Sequence, residues 1–404
     1  MAIVLVCLLA FYLAWNLGAN DVANSMGTSV GSKAITLGQA LLIAGMVEFV
    51  GAVWFGRAVS EKLATGVVNP ALFAAVPHTF VQVMVAVLMS AGLWMNLATW
   101  FGLPVSSSHA VVGALAGVGW VALGWQAVNW QSIGLISLTW IATPLVSGTI
   151  AALFYGILKQ GLLDRPDASL RLQEWIPWLS VAIVSILGVI VLPTIVQTLP
   201  DIGIAPKVIA ISIALFLILL VSSIGFFTLR SHQSHYLVES VLAKFQIVSA
   251  CGVAFAHGSN DVGNAIAPLA AILFVNQTHQ VPIDSLPVPL WILGLGGGGI
   301  VAGLALWGRQ VITTVGEGII ALQASSGFCA ELATATTILL ASKFGLPVST
   351  SHALVGAVVG IGLIQDMRQV RWHTLRSIGF TWVITIPVSA GLGAIVFWVL
   401  QTLS

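Results

Sequence analysis

Apolar residues run unbroken for about 20 positions at a time along most of this chain, with short polar breaks between the runs and no apolar–polar alternation. Stretches of that length cross about 30 Å of hydrocarbon as helices, and they fall near 1–18, 36–56, 80–100 and 132–158. A polar segment, Leu163 to Glu174, carries Asp164, Arg165, Asp167, Arg171 and Glu174. Further spans follow near 175–198, 207–229, 242–258, 288–307, 319–342 and 377–400. Two more apolar pieces, near 104–123 and 347–364, open on a proline and a hydroxyl cluster close behind a preceding span, a pattern that predicts re-entrant hairpins. The ten-residue alternating units of an outer-membrane barrel are missing. The pattern therefore predicts an all-α integral membrane protein, a helical bundle of about 10 to 12 membrane segments including two re-entrant hairpins.

The chain repeats itself. At an offset of 240, Leu17-Gly-Ala-Asn-Asp-Val-Ala-Asn24 aligns with His257-Gly-Ser-Asn-Asp-Val-Gly-Asn264, five of eight positions being identical. At an offset of 243, Phe101-Gly-Leu-Pro-Val-Ser-Ser-Ser-His-Ala110 aligns with Phe344-Gly-Leu-Pro-Val-Ser-Thr-Ser-His-Ala353, differing only where Ser107 meets Thr350. Gly56-Arg57 with Val59 recurs as Gly308-Arg309 with Val311. Three landmarks in one order mark a duplicated unit. Residues 1–160 then form a first repeat with its hairpin near 101–123, residues 161–240 a linker with two intervening helices, and residues 241–404 a second repeat with its hairpin near 344–364. The loop before the last helix carries Arg368, Arg371 and Arg376, whereas its counterpart, Gly124 to Ile133, has no basic residue. Opposite Lys/Arg bias on equivalent loops places them on opposite sides of the membrane, the mark of an inverted repeat and of secondary transporters.

Composition agrees with this reading and removes alternatives. The 404 residues are 58% hydrophobic and 7% charged, too few charges to cover a water-soluble globule. The net charge is +1, and the 14 Lys and Arg are scattered, so no basic patch exists to track nucleic acid. Lipid is the implied partner, and in a bacterial cell the plasma membrane is the implied location. Cys7, Cys251 and Cys329 lie inside apolar runs without CxxC spacing and read as small core residues. The first basic residue is Lys33, so the opening run lacks the basic start of a signal peptide and is expected to remain as a helix.

Four carboxylates, Asp21, Glu48, Asp261 and Glu331, fall inside apolar spans, with no Lys or Arg evidently placed to neutralise them. Each costs about 2.5 to 3.5 kcal/mol to insert, and they therefore call for cations, protons or a wet cavity. Helix capping is the alternative for Asp21 and Asp261. The duplication of the Asn-Asp pair, each followed by Asn24 or Asn264, favours a cation site built from hard oxygen ligands. The second constellation is Pro104-Val-Ser106-Ser107-Ser108-His109 with its twin Pro347-Val-Ser349-Thr350-Ser351-His352. Proline in a first helical turn with clustered hydroxyls and free N–H groups suits a tetrahedral oxyanion, against the alternative that these hydroxyls only bond their own helix.

Other patterns read as packing. Gly294 to Gly299 satisfies GxGxxG but follows no strand, and Gly27 to Lys33 lacks the Gly-Lys-Ser/Thr of a phosphate loop. Gly113 with Gly117, and Gly356 with Gly360, permit close helix contact. His232 and His235 read as solvated loop residues. For His109 and His352 an orienting hydrogen bond is favoured over a proton relay.

With Gly18-Ala-Asn-Asp-Val-Ala-Asn-Ser25, Gly258-Ser-Asn-Asp-Val-Gly-Asn-Ala265 and two Pro-Val-Ser-x-Ser-His segments, the chain resembles the inorganic phosphate transporter (PiT) family of phosphate permeases. Glu48 in Val-Glu-Phe and Glu331 in Ser326-Gly-Phe-Cys-Ala-Glu-Leu match its acidic positions. The likeness covers nearly the whole chain except about 160–240, where some relatives carry a long soluble loop. The resemblance implies an inverted repeat, often dimeric, that moves inorganic phosphate with Na⁺ or H⁺, Na⁺ being favoured, and needs no cofactor. It implies that Asn20, Asp21, Ser106, Ser107, Ser108, Asn260, Asp261, Ser349, Thr350 and Ser351 hold the anion. It also implies that Asp21, Asn24, Glu48, Asp261, Asn264 and Glu331 bind the coupling cation. Ser108 and Ser351 stand where many relatives have Thr, which leaves sulfate as an alternative substrate. An anion channel is the alternative of another class, although a filter normally needs a ring of equivalent sites. No nucleophile–base–orienter set suggests an enzyme.

Overall fold

The structure, a computed structural model, describes residues 3–197, 205–231, 237–283, 285–316 and 320–403; His232 and His235 lie outside the described residues. The elements are α1 (Ile3–Gly31), α2 (Leu37–Phe55), α3 (Arg57–Gly66), α4 (Pro77–Trp100), α5 (Ser107–Leu123), α6 (Trp130–Leu158) and α7 (Ala168–Ile190). They continue with α8 (Leu192–Gln197), α9 (Pro206–Ser231), α10 (Leu237–Thr278), α11 (Leu290–Gly316), α12 (Ala324–Lys343), α13 (Thr350–Gln365) and α14 (Trp372–Leu403). Ten of these helices are long and apolar enough to span a membrane, and α5 and α13 are shorter apolar helices. This is a multi-pass membrane protein.

Apolar continuity makes the helices, because backbone groups in hydrocarbon must be satisfied within the segment. Polar residues set their ends: the Thr36 and Gln39 side chains close a capping box on α2, and the Asn69 and Asn129 side chains cap the turn at Pro70 and the start of α6. Leu138, Ile141, Leu145 and Leu153 of α6 face outward, as do Leu215, Phe216 and Leu219 of α9 and Phe380 and Val383 of α14. Exposed apolar rows of this kind suit a hydrocarbon surrounding. Charge collects at a helix end, where Lys159 pairs with Asp164 at 2.6 Å and Arg171 with Asp167 at 2.8 Å. The Arg171 hydrogen bond holds the Asp167 carboxyl below the usual carboxylate range.

Packing follows the repeat. α1 lies against α11 as α10 lies against α2, and α5 lies against α14 as α13 lies against α6. Val6 near the start of α1, Val275 near the end of α10, His78 at the start of α4 and Leu400 near the end of α14 line one cavity, so α1 and α10 run in opposite directions. Gly18 and Gly258 sit at equivalent close crossings. A Cβ on Gly18 would stand 1.9 Å from the Ile300 carbonyl oxygen, and one on Gly258 would stand 2.0 Å from that of Glu48.

Two boundaries differ from the sequence expectation. The first and seventh spans do not stop at the Asn-Asp motifs; α1 and α10 run through them to Gly31 and Thr278. Nor does proline occupy a first helical turn. Ser106 and Ser349 are the N-caps of α5 and α13, and Pro104 and Pro347 lie before the caps, in the extended tips that join α4 to α5 and α12 to α13.

Candidate functional site

The centre of the bundle is built twice from the same parts. Asn20 of α1 donates to Thr99 Oγ1 at 3.1 Å and to the Leu103 carbonyl at 3.0 Å, while its own Oδ1 accepts from Val105 N at 3.3 Å. Asn260 of α10 repeats this with Ser342 Oγ at 2.9 Å, the Leu346 carbonyl at 3.1 Å and Val348 N at 3.3 Å. Both amides are thus committed to the backbone of the tips. They clamp the hydroxyl clusters in this structure. Asn20→Ala should release the first tip and raise the phosphate KM roughly tenfold, the equivalent of about 1.4 kcal/mol, in an uptake assay; an unchanged KM would contradict the clamp.

At the tips, Ser106 Oγ accepts from His109 N and Ser349 Oγ from His352 N, each at 3.3 Å, so these two serines do serve their own helices. Ser107 and Thr350 instead reach across to the opposite repeat: Asn24 donates to Thr350 Oγ1 at 3.3 Å and Asn264 to Ser107 Oγ at 3.5 Å. Ser108 and Ser351 pair with Ser106 and Ser349 at 3.2 and 2.9 Å. His109 Nδ1 lies 3.1 Å from the Trp382 carbonyl and His352 Nδ1 lies 2.9 Å from that of Trp140, so both rings are oriented by the last helix of the other repeat.

Asp21 and Asp261 sit in mid-helix, which removes the capping role. Each accepts at Oδ1 from the asparagine one turn on, Asn24 or Asn264, at 3.2 Å. Each Oδ2 is buried and has no hydrogen-bond partner among the described residues. Two carboxylates at equivalent positions, each with an oxygen that accepts no hydrogen bond among the described residues, beside two hydroxyl-bearing tips, make a paired cradle with the chemistry to receive a cation and an oxyanion. Asn20, Asp21, Asn24, Ser106, Ser107, Ser108 and their counterparts are all buried, so the centre is closed.

The glutamates break the symmetry. At the repeat offsets Glu48 corresponds to Ile300 and Glu331 to Leu88, so neither has an acidic twin. Glu48 accepts from Ser25 Oγ at 2.8 Å. His257 lies between Glu48 and Asp261, with Nδ1 3.1 Å from Glu48 Oε2 and Nε2 3.0 Å from Asp261 Oδ2. The expectation is that no Lys or Arg neutralises these carboxylates; the basic side chain that reaches two of them is a histidine. Sequence reasoning left His257 out of the site, although its i,i+4 spacing from Asp261, opposite Leu17 in the other repeat, was the available signal. Glu331 stands apart from this group. Its Oε1 accepts from Thr28 and Ser29 at 2.6 Å and from Gln246 at 3.1 Å, and its Oε2 accepts from Ser249 at 2.6 Å. Thr28 lies seven residues beyond Asp21 on α1, about 10 Å along the axis. At the equivalent positions the other repeat has Pro268, Leu269, Val6 and Leu9, so this polar cluster has no counterpart in the other repeat.

Comparison with known proteins resolves which transporters are built this way, since the profile of the phosphate transporter family matches residues 17–393, from the first motif into α14. The chain belongs to the phosphate transporter family. Among its relatives in the family, a Thermococcus kodakarensis protein described as a "putative phosphate permease" is 38% identical over 98% of this chain and 96% of its own length. One of the same description from Chlamydia trachomatis is 36% identical over the whole of both chains. A solved structure titled "The sodium-dependent phosphate transporter" superposes with a TM-score of 0.91 at 36% identity, covering 100% of each chain. In this member of the family, then, phosphate transport is the activity the paired cradle has to explain.

Proposed function

We propose that the chain is a cation-coupled inorganic phosphate symporter, more readily driven by Na⁺ than by H⁺, that works by alternating access between two inverted repeats, residues 1–160 and 241–404. The observation that carries this reading is the pair of buried aspartates whose Oδ2 atoms accept no hydrogen bond among the described residues, and whose partner asparagines, Asn24 and Asn264, reach Thr350 and Ser107 of the tips. A cation between the aspartates offsets the anion's charge, so neither ligand enters cheaply alone; that mutual dependence is the coupling. The hydroxyls of Ser107, Ser108, Thr350 and Ser351 donate to the anion, Ser106 and Ser349 shape the tips, and Asn20 and Asn260 clamp them. The α4–α5 and α12–α13 pairs act as re-entrant hairpins whose alternate movement opens the closed centre to each side.

Phosphate is favoured over sulfate because it carries a proton that it can donate to an aspartate oxygen, which sulfate lacks. The sodium-dependent title of the structural neighbour supports Na⁺. Glu331, with the hydroxyls of Thr28, Ser29 and Ser249, binds a second coupling cation. Glu331→Gln should weaken the apparent Na⁺ affinity roughly tenfold, the low end of the about 1.5 to 3 kcal/mol carried by a charged contact. Uptake measured against Na⁺ concentration checks it, and an unchanged Na⁺ dependence would remove Glu331 from the cation path. Pairing of two copies in the bilayer, implied by the family resemblance, belongs to the same proposal and is read by the mass of the purified particle. The function itself is tested by phosphate uptake into proteoliposomes under an imposed Na⁺ gradient.

A further inference from the structure

His257 has a geometry that an ion pair does not explain. Its ring is fully buried, 3.1 Å from one carboxylate and 3.0 Å from another. Yet Nδ1, Nε2, Glu48 Oε2 and Asp261 Oδ2 all remain without an aligned hydrogen bond among the described residues. An imidazolium wedged between two carboxylates would turn its N–H bonds onto them, since buried donors left unpaired cost about 1 to 3 kcal/mol. Close atoms with no hydrogen bond between them are left available to a third atom. One ligand atom each from Asp21, His257 and Asp261 lies within 4.8 Å of the others. A metal with bonds of about 2.0 to 2.2 Å holds neighbouring ligands about 3.0 to 3.5 Å apart, and the 3.0 Å from His257 Nε2 to Asp261 Oδ2 already meets that spacing.

The surroundings are those of a metal site as well. A metal-bound histidine usually turns its other nitrogen to a carboxylate, and metal-bound carboxylates are themselves hydrogen-bonded. Here Glu48 stands at Nδ1 and is in turn fixed by Ser25 at 2.8 Å. Asn24 and Asn264 hold the Oδ1 atoms of the two aspartates at 3.2 Å, leaving each Oδ2 for a ligand. The donor set also selects the ion. Hard alkali cations take oxygen, whereas imidazole nitrogen with carboxylate oxygen suits Zn²⁺ and its first-row neighbours.

We propose that Asp21, His257 and Asp261 form a binding site for a divalent transition metal of the zinc class, with Glu48 as a positioning residue for the imidazole. Three protein ligands leave a fourth position open, as in zinc sites that exchange a water or a substrate oxygen. The tip nearest this site carries Ser107, whose hydroxyl accepts from Asn264, the residue that also holds Asp261 Oδ1. The site shares both aspartates with the proposed coupling cation and in that respect rests on the proposed function; the nitrogen ligand does not.

The test uses the full-length purified protein. Equilibrium binding of radioactive zinc should give one ion per chain, with affinity reduced at least about 100-fold in His257→Gln and about 10- to 100-fold in Glu48→Gln. Wild-type protein loaded with Cu²⁺ should show hyperfine coupling to a single imidazole nitrogen, which keeps the proposal testable if a variant fails to fold. Absence of stoichiometric zinc binding, zinc affinity unchanged in a folded His257→Gln protein, or a copper spectrum without nitrogen coupling would each overturn it. Raising Na⁺ should displace the zinc. Nitrogen-ligated zinc indifferent to Na⁺ would uphold the metal site while overturning the use of these aspartates for coupling.

Discussion

Asp261→Asn abolishes phosphate accumulation while the protein still inserts and purifies as the wild type does. The substitution keeps the shape of the side chain and the Oδ1 acceptor that Asn264 holds at 3.2 Å, so the fold has no reason to change. What it removes is the charge on Oδ2, the buried oxygen beside His257 Nε2 that accepts no hydrogen bond among the described residues. Loss of a charged contact costs about 2 to 3 kcal/mol, roughly 30- to 160-fold in cation affinity. Because phosphate enters only with the cation's charge beside it, both affinities fall together. Asp21→Asn should do the same, since its carboxylate has the same partner arrangement through Asn24. Phosphate uptake by liposomes holding equal amounts of each protein measures the effect. Wild-type kinetics in Asp261→Asn would remove the aspartate pair from the transport cycle.

The second large effect is on the scaffold. Gly258→Ala places a Cβ 2.0 Å from the carbonyl oxygen of Glu48 and 2.7 Å from its carbonyl carbon, and backbone cannot move aside as a side-chain tip can. Overpacking of this kind costs about 1 to 3 kcal/mol or more, and helix association in lipid depends on such close approaches. α10 must then lift from α2 at the residue that carries Glu48 against His257, so stability and uptake should both be lost. Gly18→Ala, 1.9 Å from the Ile300 carbonyl, should match it, whereas Gly298→Ala, with nothing within 4 Å of its Cβ, should behave as wild type. Thermal melting of the detergent-solubilised proteins separates the three; a Gly258→Ala melt equal to that of Gly298→Ala would contradict the crossing.

Much of this architecture was legible along the chain, because a membrane span has to be continuously apolar. The runs near 36–56 and 132–158 became α2 and α6 within a few residues. The motif helices were cut short for a physical reason. Gly-Ala-Asn-Asp-Val-Ala-Asn is polar and a poor helix former, and only the tips and the opposite repeat, through Asn20, Asn24 and their counterparts, make a continuous helix favourable there. The paired aspartates and the hydroxyl tips could be named from the duplication alone. That Asn20 and Asn260 spend their amides on the tips could not, since the partners lie 79 to 88 positions away in sequence. Glu48 and Glu331 looked alike as lone acids in apolar spans. Their environments differ because α2 brings Glu48 to His257, while Glu331 collects four donors from α1 and α10.

The central claim is coupling of phosphate to a cation in this one centre, and labelled phosphate uptake into proteoliposomes tests it most directly, under an inward Na⁺ gradient or an inward proton gradient, each with excess unlabelled sulfate. The account predicts that the Na⁺ gradient drives phosphate above its own equilibrium level and that sulfate leaves the rate unchanged. Phosphate that only equilibrates, that follows the proton gradient alone, or that sulfate displaces would contradict it.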